Sequence, residues 1–279
     1  MPEKGFDVQA RFDMRGRTAV ITGGSGHLGR VMAAALAQAG VQVAILGRHA
    51  ETARTVAKAI QAEGGSALGV VCDVLNRADL ERSREQVASA FGPVDMLINA
   101  AGGNSPAATT SAEQPFFDLD AEAVSRVFGL NFTGTFQSCQ VFGRDMAEHK
   151  QGCIINVTSM SGLRPLTRVP AYSAAKAAIV NFTEWLAVHM AQEYGPGIRV
   201  NAIAPGFFLT DQNRYLMVDA QSGALTPRAQ AIVDHTPMGR LGAPEDLLGT
   251  LLWLASPAST FVTGVVIPVD GGFSAYSGV

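Results

Sequence analysis

Charge is scarce in this sequence. Asp, Glu, Lys and Arg make up 16% of its 279 residues, where a soluble domain usually carries about 25%. What charge there is nearly cancels, 21 basic against 24 acidic residues for a net of −3. No basic surplus exists to follow a nucleic-acid backbone or an anionic membrane surface, and so little charge also excludes a disordered or coiled-coil chain. Cysteine is nearly absent. Cys72, Cys139 and Cys153 are odd in number and far apart, which fits neither a disulfide framework nor metal-ligand spacing. They are expected as buried thiols in a reducing compartment, so the chain reads as cytoplasmic. Residues 1–17 hold no apolar run of the kind a secretory signal needs. The uncharged stretches 31–47 and 247–269 are broken, one by Gln38, Gly40 and Gln42, the other by Pro257 and Pro268. Each reads as a helix followed by a buried strand, not as a membrane span.

Glycine, by contrast, is plentiful: 30 residues without a Gly-X-Y period, which points to ligand-cradling turns. The hydrophobic fraction of 47% suffices for a sizeable core. Short runs rich in Val and Ile fall at 18–22, 41–46, 68–72, 94–99, 153–158, 198–203 and 265–269. They do not alternate with polar residues, as befits strands covered on both faces. Helical patterns such as 51–62, 78–91 and 171–194 lie between them. The alternation predicts an α/β fold: one doubly wound Rossmann-type domain over 1–279, its seven-stranded parallel sheet flanked by helices on both faces. Two long polar segments, 102–119 and 205–244, interrupt the rhythm. Both follow C-terminal strand ends, where open parallel sheets bind ligands, and both are read as substrate loops.

The first strand runs into Thr22-Gly23-Gly24-Ser25-Gly26-His27-Leu28-Gly29 and then an apolar helix. Gly24, Gly26 and Gly29 satisfy G-x-G-x-x-G in the strand-turn-helix context that a dinucleotide site requires. Glycines admit a pyrophosphate close to the backbone, and the helix N-terminus favours its charge. After the second strand the sequence reads Leu46-Gly47-Arg48-His49, with no carboxylate before Glu51. A carboxylate there would bond the 2′-hydroxyl of NAD, whereas Arg48 suits the 2′-phosphate of NADP. NADP(H) is therefore the favoured cofactor, with NAD(H) the alternative.

Over nearly its whole length the sequence resembles the short-chain dehydrogenase/reductase family. Thr22, Gly23 and Gly29 match that family's glycine motif, with His27 standing at the middle glycine and Gly26 one place earlier. Asp73-Val74 resembles the adenine-contacting pair, and Asn99-Ala100-Ala101-Gly102 resembles N-N-A-G with one replacement. Asn131, Ser159, Tyr172 and Lys176 match the catalytic tetrad, and Pro205-Gly206 and Asp270-Gly271-Gly272 match further on. The resemblance implies a cofactor site made of Gly23, Ser25, Gly26, His27, Leu28, Gly29, Arg48, Asp73, Val74, Asn99, Ala100, Ala101, Gly102, Tyr172, Lys176, Pro205, Gly206 and Phe208. Tyr172 and Lys176, four apart on a predicted helix, share a face. A nearby ammonium is expected to lower the phenol pKa from about 10, so that Tyr172 exchanges a proton with the reacting oxygen. Ser159 is expected to hydrogen-bond that oxygen. The resemblance further implies that Lys176 holds the nicotinamide ribose, that Asn131 helps hold a proton-relay water, and that the chain forms a homotetramer. No metal is required, and the five His show no ligand spacing.

Within the family, the segments 101–104, 116–120, 164–167, 206–210, 235–240 and 271–279 resemble the D-mannonate oxidoreductases, which interconvert D-fructuronate and D-mannonate. Gluconate 5-dehydrogenases are near relatives. A sugar acid needs a cation for its carboxylate and polar groups for its hydroxyls. Arg164 is expected to hold the carboxylate, with Arg168 and Arg214 as substitutes, and Asn104 and Asn213 to bond hydroxyls beside Ser159. Phe207 and Phe208 read as lid packing. The tail bearing Phe273 and Tyr276 is expected to close over a neighbouring subunit's site. Two other readings stand beside this one: a 3-oxoacyl-thioester reductase, and a dinucleotide-binding redox sensor without catalysis.

Overall fold

The computed structural model describes residues 7–210 and 214–278, apart from the side chains of residues 215 and 216. The seven Val/Ile-rich runs become β1 Thr18–Thr22, β2 Gln42–Gly47, β3 Ala67–Val71, β4 Met96–Asn99, β5 Gln151–Val157, β6 Gly197–Pro205 and β7 Val266–Val269. All pair in parallel in the order β3-β2-β1-β4-β5-β6-β7, with Ile21 of β1 between Ile45 and Ile98 of its neighbours. Between them lie α1 Val8–Arg11, α2 His27–Gln38, α3 Ala50–Ala62, α4 Arg77–Phe91, α5 Ala121–Phe128, α6 Gly134–His149, α7 Pro170–His189, α8 Arg214–Met217, α9 Pro227–His235 and α10 Leu248–Ala255.

The absence of polar alternation has the expected cause. Along β4, Met96 and Ile98 pack toward α2, α3 and α10, while Leu97 packs toward α4, α6 and α7. Each strand thus feeds two cores, and every central position must be apolar. Helix starts are punctuated by side chains where nothing else satisfies them. Asn76 Oδ1 accepts from the Ala78 N–H at 3.0 Å, Asp120 Oδ1 from Glu122 at 2.9 Å and Thr226 Oγ1 from Ala229 at 3.2 Å. Neither α2 nor α7 has such a cap, and both begin beside the cavity described below.

Several expectations shift. Strand bounds move by one or two residues, and Thr158 lies beyond the end of β5. The helix expected over 171–194 is α7 continued by a wide π turn, Met190–Tyr194, and a second such turn, Gly129–Thr133, joins α5 to α6. The 205–244 segment is no plain loop. It carries α8 and α9, pinned by bridges between Phe208 and Gly242 and between Val218 and Leu225. The tail folds onto this same segment of its own chain, with the Phe273 ring 5.1 Å from Phe207 and 4.7 Å from His235. Among the described residues no helix is long and apolar enough to cross a membrane.

One buried carboxylate ties three elements together. Asp145 of α6, 4% exposed, accepts from Arg84 Nε of α4 at 2.6 Å and from the Val94 N–H leading into β4 at 2.9 Å. Removing Asp145 leaves the Arg84 guanidinium with only Glu148, 3.9 Å away, and the Val94 N–H without its acceptor. Asp145→Ala should therefore lower the free energy of unfolding by about 2 kcal/mol, read from urea denaturation with the slope unchanged.

Candidate active site

Strands β1 and β4 are neighbours, but the chain leaves β1 toward β2 and β4 toward β5. Their outgoing connections diverge to opposite faces and open a crevice at the C-terminal strand ends. A cavity of about 610 Å³ occupies it. Its first wall is the turn from β1 into α2, where glycine is compulsory. Gly23 has φ +64°, and a Cβ there would stand 2.7 Å from Ala101 Cα; a Cβ on Gly29 would collide with the Gly23 carbonyl oxygen. Ser25, Gly26, His27 and Leu28 complete this wall. Gly26 caps α2 without a side-chain bond, so the leading amides of α2 remain available to an anion. Gly47 at the end of β2 leaves room for Ser25 Oγ, 2.6 Å from where its Cβ would lie. Arg48 and His49, both exposed, form the mouth. This narrow cradle fits a dinucleotide's pyrophosphate and its distal ribose.

The second wall is built by β5 and α7. Thr158 Oγ1 donates to the Lys176 carbonyl and Lys176 Nζ to the Val157 carbonyl, both at 2.8 Å. The ammonium is 4% exposed and lies 5.5 Å from the Tyr172 ring centre. Ser159 closes the group; its Oγ accepts from the Ser161 N–H at 3.2 Å. Burial pushes the Tyr172 phenol up, and the neighbouring Ser159 hydroxyl pulls it partly back. The same burial pushes the Lys176 ammonium down to about 8. The expected lowering of the phenol is not found in the dinucleotide-free protein, because desolvation outweighs the Ser159 hydrogen bond.

Val74, Ala100, Ala101, Gly102, Pro205, Gly206 and Phe208 also face this cavity, as expected. Five predicted residues do not line it. Asn99 is buried with its Nδ2 donating to Asn156 Oδ1 at 2.9 Å, so it braces β4 against β5 below the floor. Asp73 turns back to accept from the Leu75 N–H at 3.0 Å. Asn131 sits in the π turn, where its Nδ2 donates to the carbonyls of Gly103 at 2.7 Å and Val127 at 2.8 Å, and its Oδ1 accepts from the Gly103 N–H. Asn104 donates to Thr109 Oγ1 at 2.9 Å and is exposed, and Arg164 is exposed beyond Ser159. Asn213 falls outside the described residues. The cavity also draws in residues that sequence reasoning did not assign: Leu46, Thr52, Cys72, Gly103, Leu130, Val157, Thr158 and Thr210 among them. Those at strand ends could have been found from the strand-end rule alone, whereas Leu130 carries no sequence signal. Burial raises all three thiols, Cys72 to about 11 and Cys139 to about 12.

The family model for the short chain dehydrogenases matches residues 17–220, and the chain belongs to that family. It is an oxidoreductase acting between alcohol and ketone with NAD(P). The chain is 54% identical over 276 residues to UxuB, an uncharacterized oxidoreductase of Bacillus subtilis strain 168, covering 96% of this chain and 98% of that one. Among solved structures, a proposed D-mannonate oxidoreductase of Haemophilus influenzae with bound NAD is 45% identical, with a TM-score of 0.91 over 98% of this chain and 100% of that one. A gluconate 5-dehydrogenase of Burkholderia cenocepacia holding NADP and tartrate is 31% identical, with a TM-score of 0.86 over 97% and 100% of the two chains.

The buried lysine makes stability depend on pH with a definite sign. Between pH 8 and 10 the unfolded chain keeps its Lys176 proton while the folded chain sheds it, so the unfolded state binds more protons and stability rises with pH. Wild type should gain up to about 2 kcal/mol over Lys176→Met across that window in the dinucleotide-free protein, measured by urea denaturation at each pH.

Proposed function

We propose that this enzyme interconverts a keto sugar acid and its hydroxy acid, with D-fructuronate and D-mannonate the best pair, and that it prefers NADP(H). The observation that carries the reading is the convergence of Ser159, Tyr172 and Lys176 on one wall of a cavity whose other wall fits a dinucleotide. When bound, the nicotinamide dinucleotide donates or accepts the hydride. Tyr172 gives its proton to the substrate oxygen in reduction and takes it back in oxidation; its raised pKa keeps it protonated for the reductive direction. Ser159 donates to the same oxygen and stabilises the charge that develops there. Lys176, fixed by the Val157 carbonyl, is placed to hold the nicotinamide ribose and to supply positive charge beside the phenol. Asn131 acts through the backbone, holding the Gly103 loop against the π turn at the edge of the site.

The sugar-acid assignment draws on the names of the two solved neighbours and on the polar character of the 102–119 and 205–244 segments. Arg164 is assigned to the substrate carboxylate, with Asn104 and Asn213 to its hydroxyls. Arg48 supports NADP, since the mouth beside it carries no acid to repel a 2′-phosphate. We further infer a cytoplasmic homotetramer. Phe136, Trp185 and Tyr194 form one exposed aromatic run with Phe182 along α6, α7 and the π turn after it, a patch suited to a second copy. Sedimentation at micromolar concentration should return four chains per particle, and a monomer would overturn this.

The decisive assay compares D-fructuronate, 5-ketogluconate and an acetoacetyl thioester, each with NADPH and with NADH. Turnover should be fastest with D-fructuronate and NADPH, and Arg48→Ala should erase most of the NADPH preference. Tyr172→Phe should cut turnover about 10³-fold while dinucleotide affinity stays within a few-fold. Wild-type binding of dinucleotide with no Tyr172-dependent turnover on any carbonyl would instead favour the sensor reading.

A further inference from the structure

Below the catalytic wall, four side chains with polar or sulfur atoms cross the core in one continuous line. Cys139 of α6, Asn99 of β4, Asn156 of β5 and Thr183 of α7 are all buried. The two asparagines are direct cross-strand partners, on the strand face that also carries Leu97 and Ile154. Asn99 Nδ2 donates to Asn156 Oδ1 at 2.9 Å and lies 3.2 Å from Cys139 Sγ. Asn156 Nδ2 donates to Thr183 Oγ1 at 2.9 Å, and the Thr183 hydroxyl donates to the Ile179 carbonyl of its own helix at 2.7 Å. A hydroxyl has one proton, so Thr183 can only accept from Asn156, and the direction of each bond from β4 to α7 is fixed.

Stability alone does not call for this line. Asn99 Oδ1 is left buried without a hydrogen-bond partner, and turning that amide over would set two carbonyl oxygens against each other. Leucine and valine would fill similar space and leave no polar atom unsatisfied. What the line does is join the segments that carry the reacting group. Asn99 leads into Ala100, Ala101 and Gly102 of the cleft. Asn156 precedes Val157, whose carbonyl receives Lys176 Nζ. Thr183 lies two turns beyond Lys176 on the same face of α7. Lys176 reaches β5 through a long, flexible stem, whereas Thr183 is short and stiff about χ1. The Asn156–Thr183 bond is thus a second, shorter tie between strand and helix.

We propose that Asn156 and Thr183 are positioning residues for hydride transfer, holding α7 along β5 at the height that keeps Tyr172 and Lys176 beside Ser159. The inference rests on the roles assigned to those three residues above. Neither positioning residue lines the cleft, so each acts through the placement of α7. A small slip of α7 would move the phenol away from the reacting oxygen, and misplacement of that kind is costly to turnover. The glycine-rich wall that cradles the dinucleotide belongs to β1 and α2 and would stay where it is.

Three variants of the full chain test this. Thr183→Val keeps the shape and removes the hydroxyl, Thr183→Ser keeps the hydroxyl, and Asn156→Leu/Thr183→Val refills the line with hydrocarbon. Turnover is measured with whichever of D-fructuronate, 5-ketogluconate and an acetoacetyl thioester the wild type reduces fastest. Thr183→Val should lower kcat about tenfold or more while the KM for dinucleotide stays within about twofold. Thr183→Ser should keep kcat near wild type. The double variant should recover the thermal midpoint lost by Thr183→Val without recovering kcat. A second readout needs no substrate. A loosened α7 lets water reach Lys176, so the gain in stability between pH 8 and 10 should shrink to about half or less in both valine variants and persist in Thr183→Ser. Either a wild-type kcat or an undiminished pH gain in Thr183→Val overturns the proposal. So does a double variant whose kcat returns with its thermal midpoint, or a Thr183→Ser that fails as Thr183→Val does, since packing alone would then explain the loss. Turnover retained by Tyr172→Phe overturns the roles of the reacting group and the positioning role with them. An inactive Tyr172→Phe beside a fully active Thr183→Val overturns the positioning role alone.

Discussion

The reciprocal tie between β5 and α7 governs the chemistry of this molecule. Lys176 Nζ holds the Val157 carbonyl and Thr158 Oγ1 holds the Lys176 carbonyl, both at 2.8 Å. The strand end and the helix are locked in one register, and Ser159 and Tyr172 are carried into contact as a result. Gly162 shows how little slack remains, since a Cβ there would stand 2.7 Å from the Lys176 backbone. An ammonium buried this deeply is costly to desolvate, and one carbonyl hydrogen bond offsets only part of that cost. Part of the stability of the fold is given up to hold a cation where a reaction needs it.

The same logic separates the two walls of the cleft. The β1–α2 turn works by absence of side chains: Gly23, Gly29 and Gly47 keep the backbone close and clear. The β5–α7 wall works by buried side chains that are held from behind. Between them, the π turn at Gly129–Thr133 carries Asn131, whose side-chain amide reaches the Val127 carbonyl and holds Gly103 at both its N–H and its carbonyl.

Seven runs of Val and Ile and one glycine-rich turn made the sheet and the cofactor wall legible, because burial on both faces and a tight turn each dictate residue type directly. The family resemblance singled out Ser159, Tyr172 and Lys176, which the fold brings to one wall of the cleft. Side-chain direction was not legible. Asn99 carries the right residue type at the right strand end, yet the cross-strand presence of Asn156 turns it under the floor. Asp73 is similarly captured by the backbone two residues on. The sign of the Tyr172 shift was misjudged for a related reason: a sequence shows that a lysine is near but not how completely both groups are desolvated. The helices within 205–244 escaped notice because they are short and anchored by tertiary contacts with Phe207, Leu209 and Phe273 instead of by a long periodic face.

Cys72 shows what burial does for durability. It lies in the cleft wall, where a thiol could be attacked by any electrophile small enough to enter. Alkylation and peroxide oxidation both proceed through the thiolate. With its pKa pushed to about 11, and those of Cys139 and Cys153 also raised by burial, almost none of that form exists at neutral pH. The one sulfur among the residues lining the cleft thus stays a thiol at neutral pH, and carbonyl compounds that enter meet no thiolate there.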